Sequence, residues 1–355
     1  MLDAFVYETM PVRIRFGVGS SREHLIDELD RLGVSRVLLI ASRRDDALVD
    51  SLTDQLGSRL AGTFREVRPH VPIEVALKAR ETSQAVQADC LVSVGGGSAT
   101  GTAKAIALDT RLPIVAIPTT YAGSEATPVW GLTESGRKTT GRAAIVKPRV
   151  ILYDPDLTLS LSAAMTAASA MNALAHAVEG FYAPGANPVT SLKAESAVQI
   201  IGHNLKAVVD EPQRLETRSM LLYGAFLAGE VFAEAGSGLH HKICHVLGGA
   251  FNLPHAETHT VLLPQVMAYN QPAMPAIAGR IAAALGHQDA AQSLYSLVQD
   301  IGAPVALSQL GLTREQLEQA IRLLDAEMLP QNPRPIGPQA IQTILEGAYE
   351  GRSPA

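Results

Sequence analysis

Only two of the 355 residues are cysteine, Cys90 and Cys244. That is too few for a disulfide framework and fits a reducing compartment. No stretch approaches the roughly 18 consecutive apolar residues of a membrane span. The opening MLDAFVYETMPVRIRFG has no basic segment ahead of an apolar run, so it does not read as a signal peptide, and a cytoplasmic location is expected. Basic residues are outnumbered: Lys and Arg total 29 against 35 Asp and Glu, a formal net charge of −6. With no dense Lys/Arg run, nucleic acid is not an expected partner. Internal repeats and low-complexity tracts are absent as well. Any anionic ligand must be met by a local site and not by the field of the whole protein.

What is present is globular: 47% hydrophobic and 18% charged residues. The length favours two domains, each able to bury an interior. The first half alternates. Strands are expected at 12–17, 35–42, 62–67, 89–94 and 112–118, those at 35–42 and 89–94 buried, and helices at 21–33, about 45–59, 72–87 and 98–108. Strands and helices in turn imply a parallel sheet covered on both faces, a Rossmann-like α/β domain over residues 1–157. After RVILYDPD the pattern becomes Ala- and Leu-rich at helical period. An all-α domain is expected over 158–355, with helices near 162–182, 188–209, 215–233, 237–249, 273–286, 289–302, 313–327 and 338–349. Two such domains leave a cleft between them, where a ligand is expected.

SVGGGSATGTAK (93–104) follows a buried strand and opens a helix. Gly95, Gly96 and Gly97 would let the backbone approach a bulky anion, and the N–H groups at the helix start, with the Ser98 hydroxyl, can bind phosphate oxygens. The usual dinucleotide fingerprint would place glycine where Thr100 stands and would follow the first strand. The early strand ends in Ser42, Arg43 and Arg44. The arginines could welcome a 2′-phosphate or could be solvated loop charges, so NADH and NADPH both stand as cofactors. One strand later, PTTYAGSEATP puts Thr119, Thr120, Tyr121 and Ser124 at a strand's carboxyl end, the edge where ligands sit in open α/β sheets.

Five of the ten histidines fall within 238–259: His240, His241, His245, His255 and His259. His241 and His245 share a helix face, and His255 follows a proline just beyond that helix. On an earlier helix, MNALAHAVEG (171–180) sets Asn172 and His176 one turn apart. That spacing can offer two ligands to a metal, yet the first is a neutral amide. A shared active site accounts for this density better than filler does. Cys244, beside His245, reads as a small buried residue.

Taken together, VRIRFGVGS, VGGGSATGTAKAIAL, AIPTTYAGSEATP, the Asn172/His176 helix, GLHHKICHVLGG and NLPHAETHTVLLP resemble the iron-containing alcohol dehydrogenase family along the whole chain. The resemblance implies that family's dehydroquinate synthase-like fold. It also implies that the family's metal ligands, an Asp and three His, fall here on Asn172, His176, His241 and His255. His245 matches a further histidine beside the nicotinamide, and Gly101 stands where the family usually has Asp. The departures (Asn172, TTYAGSEATPVWGLTE and the ending RPIGPQAIQTILEGAYEGR) look like the maleylacetate-reducing branch. Its members are cytoplasmic, commonly dimeric, use NADH or NADPH and need no added metal. The implied reaction is reduction of the C=C bond of 2-maleylacetate to 3-oxoadipate.

The charges agree with that expectation. A hard divalent cation held by three imidazoles and an amide has no anionic partner, so its affinity should drop. The substrate is a dianion, and losing the Asp removes a repulsive charge from its pocket. Hydride addition to an enone develops an enolate that a hydrogen-bond donor can stabilise. His241 and His255 are the candidate catalytic donors. Asn172 and His176 would orient the substrate, and Tyr121 and His245 would meet its carboxylates. A metal-dependent alcohol or polyol dehydrogenase is the alternative within the family. A nucleotide-binding sensor without turnover is the alternative outside it, and the histidine cluster speaks against it.

Overall fold

The computed structural model describes residues 4–42, 46–134, 137–324 and 329–354. Contacts divide the chain into two units, Thr9–Ser160 and Leu161–Ala355, the latter joined by Met1–Glu8.

The unit Thr9–Ser160 contains β1 (Arg13–Phe16), α1 (Ser20–Leu32), β2 (Val37–Ala41), α2 (Asp46–Leu56), β3 (Leu60–Phe64), α3 (Ile73–Ala85), β4 (Cys90–Gly95), α4 (Gly97–Thr110) and β5 (Ile114–Pro118). A hairpin, β6 (Val129–Glu134) and β7 (Arg137–Arg142), and then β8 (Val150–Tyr153) complete it. Six strands form one parallel sheet in the order β1-β8-β5-β4-β2-β3. Its inner strands are apolar on both faces because helices cover both. Leu39, Val92 and Val94 pack with Leu25, Leu29 and Leu52 of α1 and α2, while Leu38, Ile40 and Leu91 pack with Val75 and Ile106 of α3 and α4. The strand order reverses at β2 and β4, since β2 pairs with β3 on one side and β4 on the other. A ligand of such a sheet sits beyond the carboxyl ends at that point, which here are Ser42 and the glycine loop.

Three features of this unit differ from the sequence reading, the first being β8 (Val150–Tyr153), which is not among the expected strands. The strand expected at 62–67 lies at Leu60–Phe64, because its pairing with β2 ends at Ile40↔Phe64. The β6–β7 hairpin was not expected. Gly141 makes room for it, since a Cβ there would collide with the Trp130 ring on the facing strand.

The second unit is helical: α5 (Ala163–Glu179), α6 (Pro188–Asp210), α7 (Leu215–Ala235), α8 (Leu239–Phe251), α9 (His255–Asn270), α10 (Pro275–Ala284), α11 (Ala290–Asp300), α12 (Arg314–Leu323) and α13 (Pro338–Glu350). The Ser162 hydroxyl caps α5 by accepting the Met165 N–H at 3.2 Å. From Ala170 to Glu179 α5 is buried on every side, packed by α6, α7 and α9. Helix α9 is an addition to the expected helices, which left 250–272 unassigned. Thr258–Met267 of α9 is buried all round, so the helix lacks the polar face that betrays a surface helix. Pro264 inside it reads as a breaker. The end of the helix expected at 313–327 lies outside the described residues. Among the described residues no helix is long and apolar enough to cross a membrane.

Candidate active site

Gly95 ends β4 at φ +136°, a conformation rarely adopted with a side chain. A Cβ on Gly96 would come within 2.9 Å of Thr120, so that glycine permits the loop after β5 to close on the backbone. Gly97 is under no such pressure, its added Cβ meeting only Ser124 at 3.9 Å. Helix α4 begins there with no side-chain cap, while the Ala99 and Thr100 N–H groups already bond the Gly96 carbonyl. The Gly97 and Ser98 N–H groups head the helix, where the positive end of its dipole favours an anion. The structure therefore brings Gly95, Gly96, Gly97, Ser98, Thr119, Thr120 and Ser124 to one rim of the sheet. Ser42 follows β2, which runs beside β4, and its carbonyl accepts from Arg65 at 2.7 Å. Arg43 lies outside the described residues. Tyr121 is fully buried. At Gly101 a Cβ would meet the Val71 side chain at 2.8 Å, so in this chain a valine occupies the space a larger residue would need.

Lys104 of α4 is a feature the sequence does not reveal. Its buried ammonium donates to Ser124 O at 2.7 Å, Thr127 Oγ1 at 3.0 Å and Val129 O at 2.8 Å. Three donors meet three acceptors, tying the loop that carries Ser124 to the glycine-loop helix. Burial lowers the ammonium to about 7, against the pull of the nearby Glu125 carboxylate. Lys104→Met would strand all three acceptors. A loss of about 2–4 kcal/mol by denaturant titration is expected.

In the helical unit, α5, α8 and α9 gather six imidazoles. The His176 and His241 rings stack with centroids 5.0 Å apart. His241 lies 4.6 Å from His259, and His259 lies 4.5 Å from His255. His245 faces His241 at 6.2 Å and His255 at 6.1 Å. Phe232 closes the apolar side against His176 and His241. His240 Nε2 and His259 Nδ1 share a hydrogen bond of 2.8 Å. Among the described residues, ligand atoms of His240, His241 and His259 lie within 4.8 Å of one another. The expected His176, His241, His245 and His255 thus fall in one cluster, and Asn172 is buried one turn before His176 on α5.

The sequence reading passed over His240 and His259 as site residues, and Glu179 altogether. Glu179 is fully buried, and its Oε2 lies 2.5 Å from His241 Nδ1. It stands seven residues after Asn172 and three after His176, hence on the same helical face. A signal was available: an acid in the last turn of a helix opposes the dipole unless something compensates it.

Burial favours the neutral form of His176, His240 and His259. Burial first, then neighbouring rings, pushes His240 down to about 3 and His176 and His259 well below 6.5. The unfolded chain takes up protons near 6.5 that the native state refuses until far lower pH. Stability therefore holds above about pH 6.5 and falls as pH drops from there toward 3, by about 1.4 kcal/mol per pH unit for each such histidine. Chemical-denaturation midpoints measured from pH 7 to pH 4 check this, and a flat profile contradicts it. Burial also raises both thiols, Cys90 to about 12, so neither is a nucleophile.

Comparisons with known proteins agree with this geometry. Residues 11–155 match the iron-containing alcohol dehydrogenase family model, and residues 166–349 match the model of the C-terminal part of the Fe-containing alcohol dehydrogenase family. The chain is 47% identical over 354 residues to the maleylacetate reductase of Burkholderia cepacia, covering 100% of each. It is 45% identical over 350 residues to that of Sphingobium indicum, covering 99% of each. The crystal structure of maleylacetate reductase from Rhizobium sp. strain MTP-10005 superposes with a TM-score of 0.94 at 44% identity, over 99% of this chain and 100% of that one. By sequence and by fold, the chain belongs to the iron-containing alcohol dehydrogenase family.

Proposed function

We propose that the protein is an NAD(P)H-dependent maleylacetate reductase, a cytoplasmic homodimer that reduces the C=C bond of 2-maleylacetate to 3-oxoadipate without a metal. The relatives that match it over their whole length carry that name. The observation that carries the reading is the charge balance at the histidine centre. Asn172 is neutral, and the carboxylate nearest the rings, Glu179, faces the outer nitrogen of His241. Position 172 thus adds no fixed negative charge in the path of a dianion, where an Asp would.

On this reading the donor set works without the family's divalent ion. Of the three imidazoles whose ligand atoms converge, only His241 belongs to the expected ligand set, and the other two are hydrogen-bonded to each other. The amide in the fourth seat supplies no charge. The reaction then rests on the chain's own groups. Gly95, Gly96, Gly97 and Ser98, with Ser42, Arg43, Thr119, Thr120 and Ser124, hold the cofactor. Asn172 and His176 orient the enone, and Tyr121 and His245 meet its carboxylates. His241 and His255 are the donors to the developing enolate.

The test is direct. Mixing protein, 2-maleylacetate and NADH or NADPH should oxidise the cofactor with formation of one 3-oxoadipate per nicotinamide. Absence of oxidation with either cofactor would end the reading. A metal-dependent alcohol or polyol dehydrogenase is the second reading. It is favoured by the Glu179–His241 bond, because carboxylates also orient metal-bound imidazoles. Alcohol oxidation that requires added Fe or Zn would select it.

A further inference from the structure

Nothing in the reduction as described uses Glu179, yet its carboxyl is among the most heavily bonded groups at the site. Oε1 accepts the His240 N–H at 2.8 Å. A Cβ on Gly238 would sit 3.0 Å from Oε1, so that glycine lets the backbone come up against it. Backbone N–H groups only donate, which fixes Oε1 as an acceptor. The remaining oxygen lies 2.5 Å from His241 Nδ1, with one proton between them. Whichever of the two atoms formally carries that proton, it stays with the pair. A second proton on His241 can reside only on Nε2. The pair thus sorts the two ring nitrogens into one that keeps its proton and one that exchanges it.

We infer that Glu179 is a positioning residue of the reduction: by holding the Nδ1 side of His241, it makes Nε2 the atom that delivers the closing proton. The inference rests on the maleylacetate reductase reading and selects His241 over His255 as the donor. The step balances. Hydride leaves nicotinamide C4 with its electron pair and forms a C–H bond at the alkene carbon β to the ketone. The alkene pair moves toward the ketone as an enolate, and the Nε2 proton closes the α-carbon. The nicotinamide is oxidised, the enone is reduced, and Nε2 recovers a proton from water.

The test is Glu179→Gln, a near-isostere. Its single acceptor oxygen is drawn to the His240 N–H, which leaves an NH₂ facing Nδ1. The ring must then present an unprotonated Nδ1 there and lock its only proton on Nε2 with no relay behind it. Delivering that proton would leave an imidazolate, because the amide offers Nδ1 no proton it can release, so a drop in kcat of about 10²–10⁴-fold is expected, with KM for NADH unchanged. The isotope effect from NADH deuterated at the transferred position should shrink toward unity as proton delivery becomes limiting, a change that a merely structural role would not produce. A variant within about threefold of the parent kcat overturns the inference. So does activity that is lost with a bound metal and restored by adding Zn or Fe. If the Gln variant does not fold, Glu179→Asp reads the same question. It keeps both acceptors at shorter reach and should lower kcat at unchanged KM for NADH, whereas parent-like turnover overturns the inference. A parent enzyme that never oxidises NADH with maleylacetate is a different failure, that of the reductase reading itself.

Discussion

His241→Gln should lower kcat for maleylacetate by about 10³-fold while leaving NADH affinity intact, because two contributions are lost at once. The first is a donor aimed at the developing enolate, which in other oxyanion sites is worth about 10²–10³-fold. The second is the closing proton. The side chain is only 2% exposed, ringed by His176, His259 and Phe232, which leaves solvent little access to replace it. The loss should also be non-additive. Once His241 is gone, Glu179→Gln has nothing left to orient, so the double variant should be no slower than His241→Gln alone. His255→Gln should cost less, because His255 is half-buried and reaches the centre through the His259 ring. If His255→Gln proves the more damaging of the two, the assignment of the donor is wrong. Steady-state kinetics with NADH binding followed by fluorescence give both numbers.

The second large effect concerns charge. Asn172→Asp adds an anion where the side chain is now uncharged, in a seat that is 5% exposed. A unit charge about 5 Å from a substrate carboxylate costs about 3 kcal/mol at an effective dielectric near 20, and solvent relaxation reduces that. KM for maleylacetate should rise by about ten- to a hundredfold, with less change for NADH. The same carboxylate offers a divalent cation the partner it lacks, so Fe or Zn content should rise in protein grown with the metal. The two effects share one cause and should appear together. If neither moves, the charge at position 172 does not set the ligand.

Much of this centre was legible because its residues recur at helical spacing. Asn172 and His176, and His241 and His245, each announce a shared face. The glycine loop was legible because three adjacent glycines exceed the needs of a turn. Two things stayed hidden for physical reasons. Helix α9 is buried on all sides and carries Pro264, so neither a polar face nor an uninterrupted run marks it, and His255 and His259 came without the scaffold that points both into the cluster. Lys104 sits in an Ala-rich helix and reads as a surface lysine. Its partners are two carbonyls and a hydroxyl twenty to twenty-five residues away, which no local pattern reports. Glu179 is a different case. It lies inside the decapeptide that holds Asn172 and His176, on the same face, and becomes visible once a carboxylate at a helix C-terminus is treated as needing a partner.

The account depends on one exchange: an amide in a ligand seat turns a cation pocket into a receptor for a doubly charged enone. The most direct measurement is turnover of maleylacetate with NADH by protein of known elemental composition, before and after exhaustive chelation. The account predicts substoichiometric Fe and Zn and unchanged kcat after chelation. One tightly held Fe or Zn per chain, with turnover lost on its removal and regained on its return, would contradict it.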